Sequence, residues 1–177
     1  DWVGMYGFNN TYGLVVRREI AEKYNLKTYS DLKAVAGDLT FGAEYDLFER
    51  EDGYDAPCET YGLNFGKTMD LDIGLKYQAI NQKKIDAMVI FTTDGQLSAS
   101  DVVVLEDDKH IYPSYICGNV IRAEVLEKYP ELKSVLEKLN GLITDNDMAA
   151  MNYAVESENK EPRDVAKEYL SSHNLLQ

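Results

Sequence analysis

Apolar and polar positions change period several times along the chain, and each change marks an element. "YGLVVRR" is a short apolar run behind a polar start and predicts a strand. "REIAEKYN" reads as a short helix ended by Asn25 and Leu26. "TYSDLKAVAG" reads as a second helix, opened by Thr28 three residues before Asp31 in a capping-box pattern and closed by Gly37. "LTFGAEY" is the next strand. "FEREDGYDAP" reads as a loop by its charges and its Asp52-Gly53 pair, and a helix through Cys58 and Tyr61 follows it and stops at Gly62. "GKTMDL" is a further strand, and "DIGLKYQAINQKK" sets Ile73, Tyr77 and Ile80 on one helical face. "IDAMVIF" is a continuous apolar run of the kind that parallel strands covered on both faces show. "TTDGQLSAS" breaks that run, "DVVVLEDD" is another strand, and "KHIYPSY" is a loop held open by Pro113.

Strands alternating with helices up to about residue 112 predict a complete α/β unit. Beyond that point the texture is helical. Val135, Leu136, Leu139 and Leu142 are spaced as a buried stripe, Thr144 stands as an N-cap to "TDNDMAAMNY", and Pro162 opens "PRDVAKEYLSSHN" as an N1 proline. The tail has room for at most one strand, so its amphipathic helices need a surface that the chain itself does not supply. The organisation expected is therefore one α/β lobe over 1–112, entered near 7–12, and over 113–177 the helical end of another lobe whose sheet lies outside this chain. No internal repeat or low-complexity segment interrupts the pattern.

Composition narrows the function. With 177 residues, 45% of them hydrophobic, the chain can bury a real core. No stretch approaches the roughly 18 to 20 apolar residues of a membrane span, and "DWVGMYGFNN" lacks the basic start and apolar centre of a signal peptide. A chain opening on Asp1 without Met reads as a processed or trimmed product whose true beginning lies upstream. The net charge of −13, from 31 acidic and 18 basic residues, argues against nucleic acid and against insertion at an anionic membrane surface. It suits a cationic ligand, and simple solubility explains it as well. Cys58 and Cys117 read as two ordinary thiols, and His110 and His173 are too sparse for a metal site or a nucleophilic triad. The carboxylates of "FERED" and "LEDDK" read as solvated loop faces with no nucleophile or base beside them. No enzyme, metal or cofactor is expected.

"GFNNTYGLVV" carries the main chemical signal, because Asn9, Asn10, Thr11 and Tyr12 stand where the chain enters a sheet. Ligands of open α/β sheets bind at strand mouths, and an Asn-rich turn with a boundary tyrosine would give the same pattern. Three other places are like it: Arg50 in a loop after a strand, Phe91 ending a strand before Thr92, Thr93 and Asp94, and Tyr115 just after Pro113. Most of the 13 tyrosines must serve packing, but a few gathered at one sheet edge would form a site. Aromatic faces attract a quaternary ammonium, which cannot donate a hydrogen bond, and an arginine clamps a carboxylate at two points. The combination describes a zwitterion such as a betaine.

The segments "GFNNTYGLVVRREIAEKYNLKTYSDL", "FEREDGY", "YGLNF", "IGLKYQAI", "FTTDGQL", "VVLEDDKHIYPSY" and "EVLEKYPELKSVLEKLNGLITDNDMAAMNY" occur in order over nearly the whole chain. In this the sequence resembles the substrate-binding proteins of glycine betaine/carnitine/choline ABC transporters, the osmoprotectant-uptake family. The resemblance implies a type II periplasmic-binding-protein fold of two lobes, with the family's N-terminal segment absent from this chain. It implies that Tyr12, Phe91 and Tyr115 belong to an aromatic cage, that Asn10 supports them, that Arg50 meets the ligand carboxylate, and that Thr93 and Asp94 line the same cleft. Relatives often carry tyrosine at the Phe91 position. Arg50 favours a betaine or carnitine, whereas choline would leave its guanidinium without a partner. The implied partners are a small quaternary-ammonium ligand and an ABC permease, on the extracytoplasmic side, with an anchor or a fused permease outside this chain. A ligand-sensing domain of the same fold in a regulator or a permease fusion is the alternative.

Overall fold

A computed structural model describes residues 1–72 and 74–176, which fall into two compact units. The chain changes unit after Thr11, Phe91, Ser98 and Pro113. In chain order, β1 (Trp2–Asn9) belongs to the first unit. The second unit takes β2 (Tyr12–Arg17), α1 (Arg18–Tyr24), α2 (Tyr29–Leu32), β3 (Thr40–Ala43), α3 (Tyr45–Glu49) and α4 (Asp55–Tyr61). It continues through β4 (Lys67–Asp70), α5 (Lys76–Asn81), β5 (Ala87–Phe91) and β6 (Val102–Val104). The chain ends in the first unit with β7 (Ile116–Val120), α6 (Ala123–Lys128), α7 (Glu131–Leu136), α8 (Asp145–Glu156) and α9 (Pro162–Ser172).

The second unit is built on one five-stranded sheet in the order β4-β3-β5-β2-β6. β5 runs parallel to β3 and antiparallel to β2, so the sheet is mixed where the apolar run of β5 predicts parallel neighbours. The run Ala87–Ile90 is buried throughout, and such a run reports cover on both faces rather than the direction of the adjacent strand. Leu14, Val16, Phe41, Ala87 and Val89 meet Ile20, Leu26, Tyr29, Leu32, Leu47 and Tyr61 in the main core. The local signals act as the sequence implies. Thr28 and Asp31 close a reciprocal capping box on α2, Asn25 ends α1 in the left-handed region at φ 52°, and Gly62 does the same for α4 at φ 66°. α2 is shorter than expected, and a 3-10 turn over Ala36–Asp38 follows it. The charged loop also carries more helix than expected, since Phe48 and Glu49 close α3 and Asp55 opens α4. Tyr77 and Ile80 are buried on α5; Ile73, expected on the same face, lies outside the described residues.

The first unit holds a two-stranded antiparallel sheet of β1 and β7, with α6 to α9 after it. β1 has no counterpart in the sequence reading, because Gly4 and Gly7 interrupt any alternation. Its pairing with β7 shifts register twice, between Val3 and Met5 and again between Met5 and Asn9. Gly7, at φ 118°, lies so close to the 141–143 segment that an added Cβ would stand 2.9 Å from the Cα of Gly141. Ile143 donates its N–H to the Tyr6 carbonyl there at 2.9 Å. Thr144 and Asp147 close a second capping box, on α8, and Pro162 takes the start of α9. The stripe expected from Val135, Leu136, Leu139 and Leu142 is not buried, and Val135 is 52% exposed. α7 ends at Leu136 and gives way to a 3-10 turn over Glu137–Leu139, so the four positions do not keep the period of one helix. Cys58 and Cys117 are free thiols, and His110 is exposed.

Candidate ligand-binding site

β2 begins at Tyr12 and β5 ends at Phe91, and the antiparallel register makes these two residues direct partners. Their rings therefore meet at the sheet's end, centroids 4.9 Å apart and planes tilted by 32°. Tyr112 packs on Tyr12 from another side at 5.4 Å. It is held by Asp107, whose Oδ2 accepts the N–H of Ile111 at 2.9 Å and that of Tyr112 at 3.4 Å, while Oδ1 takes the Tyr61 hydroxyl. Burial raises the Tyr112 phenol, and burial is also the main cause that raises Tyr12, with the Arg50 guanidinium pulling the other way. Both rings stay neutral at physiological pH and keep intact faces.

Tyr12 and Phe91 form one wall of a cavity of about 210 Å³ whose other walls are Glu44, Asp46, Leu47 and Arg50. α3, packed by Leu47 on the core, delivers Asp46 and Leu47 and its two caps are Glu44 and Arg50, so the cavity is a strand end facing a short helix of the same unit. The guanidinium carbon of Arg50 lies 5.9 Å from the Tyr12 centroid. Its Nε and Nη2 both donate to the Asp52 carboxylate, at 2.7 and 2.8 Å. Arg50 thus has a carboxylate partner within the same turn of the chain. Lys76, 2% exposed, pairs with Glu44 at 2.8 Å and sits 5.6 Å from the Phe91 centroid, as a buried ammonium requires a counter-charge.

The remaining expected residues belong to the first unit. Asn10 accepts the Thr93 hydroxyl at 2.7 Å and gives its own N–H to the Tyr115 carbonyl at 3.2 Å. Asn9 accepts the Tyr115 N–H on its side-chain oxygen at 2.6 Å, and its carbonyl takes the Thr92 hydroxyl at 2.7 Å. Asn152 of α8 donates to the Thr93 carbonyl at 2.8 Å. The Asp94 carbonyl starts the 3-10 turn over Gly95–Ala99 by accepting from Leu97. The amides of "GFNNTYG" therefore tie three chain segments together. The structure brings Tyr12, Arg50 and Phe91 to one cavity and Asn10, Thr93 and Tyr115 to one network.

Sequence reasoning missed Glu44, Asp46, Lys76, Tyr112 and Asn152. Glu44 and Asp46 had a readable signal, two acids immediately after a strand; Lys76 and Asn152 had none, since only folding brings them close. Among the described residues no group of His, Cys, Asp or Glu could hold a metal ion, and no helix is long and apolar enough to cross a membrane.

Known proteins are similar to this chain in sequence and in fold. Residues 1–172 match the family described as the substrate binding domain of the ABC-type glycine betaine transport system. The ergothioneine transport permease/ergothioneine binding protein EgtU of Helicobacter pylori strain G27 is 45% identical over 98% of this chain and 32% of its own length. The carnitine transport binding protein OpuCC of Listeria monocytogenes serotype 1/2a strain 10403S is 38% identical over 99% of this chain and 58% of its own. A crystal structure of a glycine betaine/carnitine/choline ABC transporter superposes with a TM-score of 0.88 at 40% identity, over 98% of this chain and 64% of that one. The chain thus spans about a third to two thirds of the length of these relatives, and its fold is α/β of the periplasmic-binding-protein kind. By sequence and by fold, the chain belongs to the family of substrate-binding domains of ABC-type glycine betaine transport systems.

Proposed function

We propose that this chain is the ligand-binding part of an extracytoplasmic receptor for an ABC importer, which captures a quaternary-ammonium osmoprotectant of the glycine betaine, carnitine or choline class and passes it to the permease. The observation that carries this reading is the in-register pair of rings, Tyr12 and Phe91, on a cavity completed by Glu44, Asp46 and Arg50. A trimethylammonium group cannot donate hydrogen bonds, so carboxylates alone hold it poorly; ring faces attract it and the acids deepen the field. The guanidinium of Arg50 provides the two-point partner for a ligand carboxylate. By the family resemblance, Tyr115 joins the cage, Asn10 supports it, and Thr93 and Asp94 contribute polar contacts. Nothing in this reading needs bond-making. The receptor is held by an anchor outside this chain or by fusion to the permease.

One observation favours a second ligand of the same class. The Helicobacter relative is named for ergothioneine, which is itself a trimethylammonium betaine, so the same rings and the same guanidinium suit it. Isothermal titration of glycine betaine, carnitine, choline and ergothioneine into the full-length protein decides between them. Binding of at least one, lost in Tyr12→Ala and Tyr115→Ala and weakened in Arg50→Ala for the carboxylate-bearing ligands, supports the assignment. Absence of binding by all four overturns it.

A further inference from the structure

The Arg50 fork already holds a carboxylate. Nε and Nη2 meet the two oxygens of Asp52 at 2.7 and 2.8 Å, the side-on geometry by which a guanidinium takes any carboxylate. The pair is built into the backbone. Arg50 caps the end of α3, its carbonyl accepts the Gly53 N–H at 3.1 Å, and Tyr54 returns its N–H to Leu47 at 3.0 Å. Gly53 is required there, because a Cβ would stand 1.9 Å from the Leu47 carbonyl oxygen. This turn aims the Asp52 carboxylate back at the residue two positions before it.

Exposure decides what the contact can do. The Arg50 and Asp52 side chains are 51% and 34% exposed, so water screens the pair and its net strength is small. A buried pair would lock the fork; a screened one costs little to open.

We propose that Asp52 is a specificity-determining residue, an internal stand-in that occupies the Arg50 fork until a ligand carboxylate displaces it and that neutralises the guanidinium when the ligand has none. The inference rests on the reading of Arg50 as the carboxylate clamp. It makes the site tolerant. Betaine and carnitine exchange one carboxylate for another on the same fork, and choline is spared an uncompensated guanidinium beside its own cation. Selectivity between the two ligand types is then narrower than a bare arginine would impose.

The test is isothermal titration of glycine betaine and choline into the full-length protein and its Asp52→Asn, Asp52→Ser, Arg50→Gln and Arg50→Gln/Asp52→Asn forms, with thermal midpoints recorded for each. Removal of the Asp52 charge tightens betaine and weakens choline, so that their affinity ratio moves toward betaine by threefold or more. In the Arg50→Gln background the same removal leaves the ratio where it was. Parallel weakening of both ligands, or an unmoved ratio in both Asp52 variants, overturns the stand-in role while leaving the cage intact. Failure of the unaltered protein to bind either ligand overturns the quaternary-ammonium reading itself, and this inference with it.

Discussion

Tyr12 and Phe91 are placed by register, not by their own loops. Each sits on a strand end held by the Leu14–Val89 and Val16–Ala87 pairs, so the register sets the backbone positions of both residues before any ligand arrives. Backbone positions set in advance need no ordering on binding. Tyr12→Ala is expected to weaken a quaternary ammonium by about 0.5–2 kcal/mol, roughly two- to thirtyfold, whereas Tyr12→Phe keeps the face and most of the affinity. Titration of both variants checks this, and equal loss in the two would move the emphasis from the ring to the hydroxyl. Thr93 is buried and serves Asn10, whose side-chain oxygen accepts its hydroxyl. Thr93→Val leaves that oxygen without this donor and is expected to cost about 1–3 kcal/mol of stability, read as a lowered denaturation midpoint. An unchanged midpoint would show that water replaces the bond freely.

At the scale of elements, short pieces with strong ends do most of the positioning. α8 starts from a capping box whose Thr144 accepts the Asp147 N–H, and its first residue, Asp145, accepts the N–H of Asn9 at 2.8 Å. Thr144→Ala is expected to cost about 1 kcal/mol, and hydrogen exchange should show the first turn of α8 fraying; protection equal to that of the unaltered protein would contradict it. The capping box of α2, the N-cap of α8, the ends of α1 and α4 and the strands of the five-stranded sheet were legible in the sequence because each is a local rule acting within a few residues. The strands' directions were not, since the buried run of β5 says only that both of its faces are covered. β1 was hidden by its glycines, whose bulges erase the two-residue alternation by which a strand is recognised. In the site, Tyr12, Arg50 and Phe91 stood out as aromatic or charged residues at strand ends. Lys76 and Tyr112 did not, because a lysine opening a helix and a tyrosine in a loop carry no sign of the partners that folding gives them.

For the molecule as a whole, pH is the most discriminating variable, because its ionisable groups are perturbed in opposite senses at the two ends of the scale. The side-chain hydroxyls and backbone N–H groups at the starts of α2 and α8 hold Asp31 and Asp147 below the ordinary value of 3.8, and the Ser30 hydroxyl does the same for Asp108. Carboxylates depressed by folding contribute stability above their unfolded value and lose it as the pH falls through the folded one. The acid limb should therefore open below about pH 4. Tyr29, Tyr54, Tyr61 and Tyr112 are shifted the other way, chiefly by burial, above the ordinary 10.0. A phenol raised by folding contributes stability below its unfolded value and loses it as the pH climbs past that point, so an alkaline limb should open above about pH 10. Between the limbs, the net charge of −13 sets a gentler slope: self-repulsion eases as unpaired carboxylates protonate, and added salt eases it at neutral pH. Thermal midpoints taken from about pH 2 to 11, at low and at roughly 0.5 M salt, separate these contributions, since salt raises the middle of the curve and leaves both limbs where the titrations put them. Asp147→Asn should shallow the acid limb alone, because its carboxylate no longer titrates. A midpoint that rose as the pH fell from 4 to 2 would mean that charge repulsion, rather than the capped carboxylates, governs the acid stability of this fold.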